Sequence, residues 1–149
     1  MFLFLQPTQF HIQNIYFLEK KMNIIMDGFF TKFVWSTSFM TMMGLYFQLP
    51  PIATNYSNIL TINTVCHKEW IHRLCVIEKQ LLQYYQMFYA MNKTPIYSLK
   101  SQLQRGTLKY YRDIESGSPS TVFYLKISGI WENSHEIGIT FKIIEYGRV

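Results

Sequence analysis

The chain has 149 residues, room for one modest domain, and a hydrophobic content of 49% excludes a disordered tail. Charged residues make up only 15%, aromatics 17%, and a net charge of +5 favours an anionic partner over a metal cage. Two cysteines are too few for a secreted disulfide scaffold.

The N-terminus, MFLFLQPTQFH, is apolar but lacks the basic region and small-residue cleavage site of a signal peptide. Residues 1–62 sustain neither a two-residue nor a 3.6-residue period, so they are expected to form an apolar extension of undefined structure. Their most lipid-like stretch, Phe33 to Phe47, is 15 residues long, against the roughly 20 that cross a bilayer. Ser36, Thr37, Ser38 and Thr41 dilute it, and a buried helix or strand pair is the preferred reading. Lys20 and Lys21 precede it as in a signal anchor, which makes a single-pass membrane protein anchored over 29–49 one alternative. Pro50-Pro51 and the polar run 54–58 mark a loop. A boundary is placed at residue 62, with a small α+β interaction domain over 63–149. Asn55 and Asn92 head two glycosylation sequons of a kind common by chance.

From residue 64 the pattern predicts a long helix, with Thr64 as its cap. Trp70, Leu74, Ile77, Leu81, Tyr84 and Phe88 recur at steps of four and three, a heptad seam suited to a partner helix. Ile71, Cys75, Leu82, Tyr85 and Tyr89 widen this face, which suits packing on the domain's own sheet instead. Arg73 and Glu78 fall where they would bridge two parallel coils. Cys66 and Cys75, nine apart on such a helix, stand about 13 Å apart along its axis and are expected to be free thiols. That suits a reducing compartment, nuclear or cytoplasmic. Thr94 and Pro95 are read as the start of a short second helix lined by Ile96, Leu99 and Leu103 and stopped by Gly106.

Residues 116–120 form a turn cluster. Two strands with a two-residue period follow. The first places Phe123, Leu125, Ile127, Gly129 and Trp131 on one face; the second aligns Ile137, Ile139, Phe141 and Ile143. The expected fold is therefore α+β: a heptad-bearing helix and a short helix packed on a C-terminal hairpin or small sheet. A lone hairpin is marginal, so further strands must come from residues 1–62 or from a partner chain. The chain stops three residues after Tyr146, which is read as a truncated form or a sheet edge completed in trans.

No constellation of catalytic type emerges. His67 and His72 lie five apart, on different sides of a helix, so they cannot share one ion as a zinc-protease pair does. His135, Glu132 and Glu136 are read as solvated turn charges. No glycine-rich phosphate loop is present, and no cofactor or metal is nominated. Lys93, Lys100, Arg105, Lys109 and Arg112 form an acid-free run interleaved with Tyr97, Tyr110 and Tyr111. That mixture suits single-stranded nucleic acid or an acidic protein patch.

The sequence thus points to a non-enzymatic interaction module, a subunit of a larger assembly bound through Trp70, Leu74, Ile77, Leu81, Tyr84 and Phe88 or through a sheet edge. In build, a heptad helix before a small α+β unit resembles kinetochore and chromosome-complex subunits, which implies a chromosome- or nucleic-acid-associated assembly. The alternatives are the membrane-anchored protein above and a nucleic-acid-binding protein acting through Lys100, Arg105, Lys109, Tyr110, Tyr111 and Arg112.

Overall fold

A computed structural model of the chain describes residues 3–23, 25, 27–50, 53–54, 59–109 and 122–146. Two short 3-10 turns, Pro7–Gln9 and Ile12–Asn14, lead into β1 (Ile15–Phe17) and β2 (Lys21–Asn23). The aromatic and β-branched run of β3 (Gly28–Ser36) alternates inward Thr31, Phe33 and Trp35 with outward Phe30, Lys32 and Val34. Thr37 turns the chain, its Oγ1 accepting from Phe39 N (3.2 Å) and Met40 N (3.3 Å). Next come β4 (Thr41–Met43) and β5 (Leu45–Gln48), with Gly44 between them at φ +82°. A side chain there would place its Cβ 2.6 Å from the Ile127 carbonyl oxygen, so glycine permits the strand to leave β3 and join a new neighbour.

The remaining elements are β6 (Ala53–Thr54), β7 (Ile59–Thr61), α1 (Lys68–Phe88), β8 (Thr94–Ile96), α2 (Ser98–Arg105), β9 (Thr107–Lys109), β10 (Val122–Glu132) and β11 (Glu136–Tyr146). Among the described residues eight strands form one mixed sheet in the order β1-β3-β10-β11-β8, with β2 and β4 also on β3 and β5 also on β10; β6-β7-β9 form a second sheet.

This corrects the α+β expectation. Among the described residues the fold is mostly β, a large curled sheet with two α-helices, and residues before 62 are no undefined extension, since they supply β1 to β7. β1, β2 and β4 are three residues each and none shows a period alone, whereas β3 and β5 overlap the 33–47 stretch that the sequence reads as a buried helix or strand pair. The lipid-like stretch 33–47 lies in β3, β4 and β5, and among the described residues no helix is long and apolar enough to cross a membrane. The C-terminal hairpin is present as two 11-residue strands, but at the centre of the sheet, flanked by β3, β5 and β8.

Helix α1 covers the inner face of the sheet. Leu74, Ile77, Leu81, Leu82 and Tyr85 are buried with Phe33, Leu45, Phe47, Leu125, Ile127, Ile130, Ile137 and Ile139. The proposed heptad seam is therefore largely spent on the chain's own core: Leu74, Ile77 and Leu81 are buried, Trp70 and Tyr84 half-buried. Phe88 is exposed, although its ring meets Phe17 at 5.3 Å. Over three heptads a 3.5-residue repeat drifts only about 20° per heptad from a straight helix, so spacing alone could not separate the two uses.

Both helix starts also differ from expectation. Asn63, not Thr64, turns the chain into α1, its Oδ1 accepting from Val65 N and Cys66 N at 3.0 Å each. Cys66 thus precedes the helix, and both cysteines are free. Thr94 and Pro95 lie in β8, parallel to β11. The true start of α2 is capped from a distance by Glu78, whose carboxylate accepts from Leu99 N (3.0 Å) and Lys100 N (2.9 Å). Gly106, at φ +75°, closes α2.

Candidate functional site

One departure from strict alternation decides where several polar groups lie. Ile127 faces Phe141 but Gly129 faces Thr140, so Ser128 is an extra residue, a bulge in β10. Before it Phe123, Leu125 and Ile127 point inward; after it Ile130 and Glu132 do. Trp131 is therefore on the outer face, contrary to the inward position expected, and its ring lies over Gly138. Glu132, expected to be a solvated turn charge, is brought inside.

There it ties four segments together. Its Oε1 accepts from Tyr85 Oη (2.6 Å) and pairs with Lys20 Nζ (2.9 Å), while Oε2 accepts from Lys93 Nζ (2.5 Å). Thr31 Oγ1 lies 3.3 Å from Tyr85 Oη, and Lys20 Nζ stands 4.0 Å from the centre of the Tyr89 ring. Burial alone would raise the Glu132 pKa, but the hydrogen bonds from Lys93, Tyr85 and Lys20 outweigh it and hold the group down at about 2. Burial, then the Glu132 carboxylate, pushes the Tyr85 hydroxyl above its ordinary range. With both oxygens occupied, this carboxylate is a structural tie and a poor proton acceptor.

Two basic surfaces remain open. The first is a groove of about 530 Å³ between α1 and α2, lined by Lys68, Ile71, His72, Cys75, Val76, Lys79, Tyr97, Lys100 and Gln104. No carboxylate is among these lining residues, and Glu78 beneath them is turned into the first N–H groups of α2. Burial and the nearby Glu78 push the Cys75 thiol up, so it is a neutral thiol and not a thiolate nucleophile.

The second surface is the face of the large sheet opposite α1. The registers place Lys21 beside Phe30, Phe30 beside Trp131, Lys32 beside Gly129, Tyr46 beside Lys126, and Lys126 directly opposite Lys142. Lys21, Lys32 and Lys142 are exposed; Phe30, Tyr46, Lys126 and Trp131 are half-buried. The Lys126 ammonium lies 5.5 Å from the centre of the Tyr46 ring. Among the described residues the ion pairs are Lys20–Glu132, Lys93–Glu132 and Arg73–Glu69, so none of these four outer lysines has a carboxylate partner.

The described part of the basic run read from the sequence is divided among several elements. Lys93 shares the Glu132 carboxylate with Lys20, Lys100 lines the groove, Arg105 ends α2 and Lys109 ends β9. Tyr110, Tyr111 and Arg112, like the turn cluster 116–120 and Asn55, lie outside the described residues. Arg73 pairs with Glu69 (3.0 Å) along its own helix. Lys32, Lys126 and Lys142 are spread over 110 residues of sequence, and only strand pairing gathers them. The one local signal was the outward phase of Lys126 and Lys142 in the two period-two strands.

Among the described residues no group of three or more His, Cys, Asp and Glu is placed to hold a metal ion. Comparison of the chain with protein families, with curated proteins and with solved structures finds no match.

Proposed function

We propose that the protein is a non-enzymatic binding module that holds single-stranded nucleic acid on the outer face of its large sheet. The observation carrying this reading is Lys126 set directly opposite Lys142 with no carboxylate between them. Like charges facing each other across a strand pair are destabilising, an arrangement that a bound polyanion relieves. Lys21 and Lys32 extend the positive field on the same face, and the net charge of +5 draws phosphate toward it. Phe30 and Trp131 interleave with the lysines and offer ring surface on which bases stack, worth about 1–3 kcal/mol per base. A single strand fits better than a duplex because its bases are free to reach those rings. The free thiols Cys66 and Cys75 support a reducing intracellular setting for this activity.

The test is fluorescence anisotropy of a labelled oligothymidylate with the full chain. Four phosphate contacts predict that affinity falls about 50-fold between about 50 and 200 mM salt. Reversal of Lys126 and Lys142 to Glu should abolish binding, whereas reversal of Arg105 and Lys109 should leave most of it. Binding that survives the first pair of changes, or no binding at low salt, refutes the reading.

A further inference from the structure

We propose a second, separate binding site: the groove between α1 and α2 seats an extended acidic segment of a partner protein. Lys68 and Lys79 stand eleven residues apart on α1, which is about 16 Å along the helix axis. Lys100 faces them from α2 across the groove. No single small anion reaches ammonium groups spread that far, so the complementary ligand is an elongated polyanion. An extended peptide covers the distance with about five residues.

The floor decides between kinds of polyanion. Ile71 and Cys75 form an apolar strip beside the lysines, Val76 adds an exposed apolar side chain at the rim, and Tyr97 contributes a single half-buried ring. Nucleic acid would find no series of rings for its bases there. A peptide that alternates carboxylates with an aliphatic side chain satisfies both the rim and the floor. The volume of about 530 Å³ is within the range of ligand-holding clefts, about 300–1,000 Å³. Glu78 lies below the floor, but its carboxylate is engaged by Leu99 N and Lys100 N, so the groove keeps its positive rim.

The experiment uses the full chain and a fluorescein-labelled peptide of about eight residues, Asp and Glu with two leucines. Saturable binding is expected, weakened about tenfold or more by Lys79→Glu with Lys100→Glu, and clearly weakened when the peptide leucines are replaced by serine. Lys79→Gln with Lys100→Gln repeats the test without introducing new charge, should the reversal disturb folding. The same variants should leave oligothymidylate affinity unchanged, and Lys126→Glu with Lys142→Glu should leave peptide affinity unchanged. Absence of peptide binding, equal binding by both groove variants, displacement by millimolar inorganic phosphate, or displacement by oligothymidylate would each overturn the proposal. The last two outcomes would assign the groove to a small anion or to nucleic acid.

Discussion

Tyr85 in the last turns of α1 donates its hydroxyl to Glu132 at the end of β10, across 2.6 Å and 47 residues of sequence. The same carboxylate holds Lys20 and Lys93, so one buried anion fastens the helix to the open end of the sheet. Its removal takes the shared carboxylate from two ammonium groups and a phenol, leaving Lys93 the Asn133 carbonyl oxygen (2.8 Å) and Tyr85 the Thr31 hydroxyl (3.3 Å). Glu132→Ala is expected to cost about 3–5 kcal/mol in chemical denaturation. A loss below 1 kcal/mol would mean that the tie is cosmetic.

Glu132 also sets an acid limit. Its folded pKa, about 2, is below the ordinary value of 4.5, so its contribution is present above pH 4.5 and is lost as pH falls through 2. Wild-type stability should decline over that window, and the decline should be shallower in Glu132→Gln. Glu78 works in the opposite sense. Burial is the main cause that raises its pKa above 4.5, so ionisation costs stability as pH rises through the raised value. Glu78→Gln should therefore gain on wild type at neutral pH relative to acid, whereas Glu78→Ala, which strands two amide N–H groups, should cost about 1–3 kcal/mol. Urea titrations at several pH values separate the two carboxylates.

Trp131 and Gly138 are partners because the bulge at Ser128 puts them opposite each other. A Cβ on Gly138 would lie 2.4 Å from the indole ring. Gly138→Ala should cost about 1–3 kcal/mol in wild type and less in a Trp131→Ala background. The double-mutant cycle should show a coupling of about 0.5 kcal/mol or more. Additive effects would contradict the outward placement of Trp131.

Function and stability should part company at the sheet face. Lys126→Glu turns a like-charge pair with Lys142 into an attractive one and should stabilise the protein by about 0.2–1 kcal/mol. The same change should weaken oligonucleotide binding. A variant that loses both stability and binding would show instead that Lys126 has a packing role against Tyr46.

The amphipathic helix, its Gly106-terminated companion and the two period-two strands were legible because each is long or punctuated enough to carry a pattern by itself. The inward set on β11, Ile137, Ile139 and Ile143, follows directly from alternation. Alternation failed on β10 only beyond Ser128, because one inserted residue reverses the phase of everything after it and leaves no mark in composition. That slip is why Trp131 was assigned inward and Glu132 to solvent.

The chain's own amino acids determined the long helix, the short helix ending at Gly106 and the two C-terminal strands, and how much apolar surface had to be covered. Tertiary structure alone decided what covers that surface: β1 to β5 and the Leu74, Ile77 and Leu81 stripe close on each other within one chain. It also decided which lysines are neutralised and which stand together, taking Lys93 out of the basic set and bringing Lys32, Lys126 and Lys142 into it. The physical reason is that pattern along a chain reports contacts within a few residues. Charge neutralisation and sheet closure depend on pairs such as Lys20–Glu132 and Lys32–Gly129, which only the folded path brings within reach.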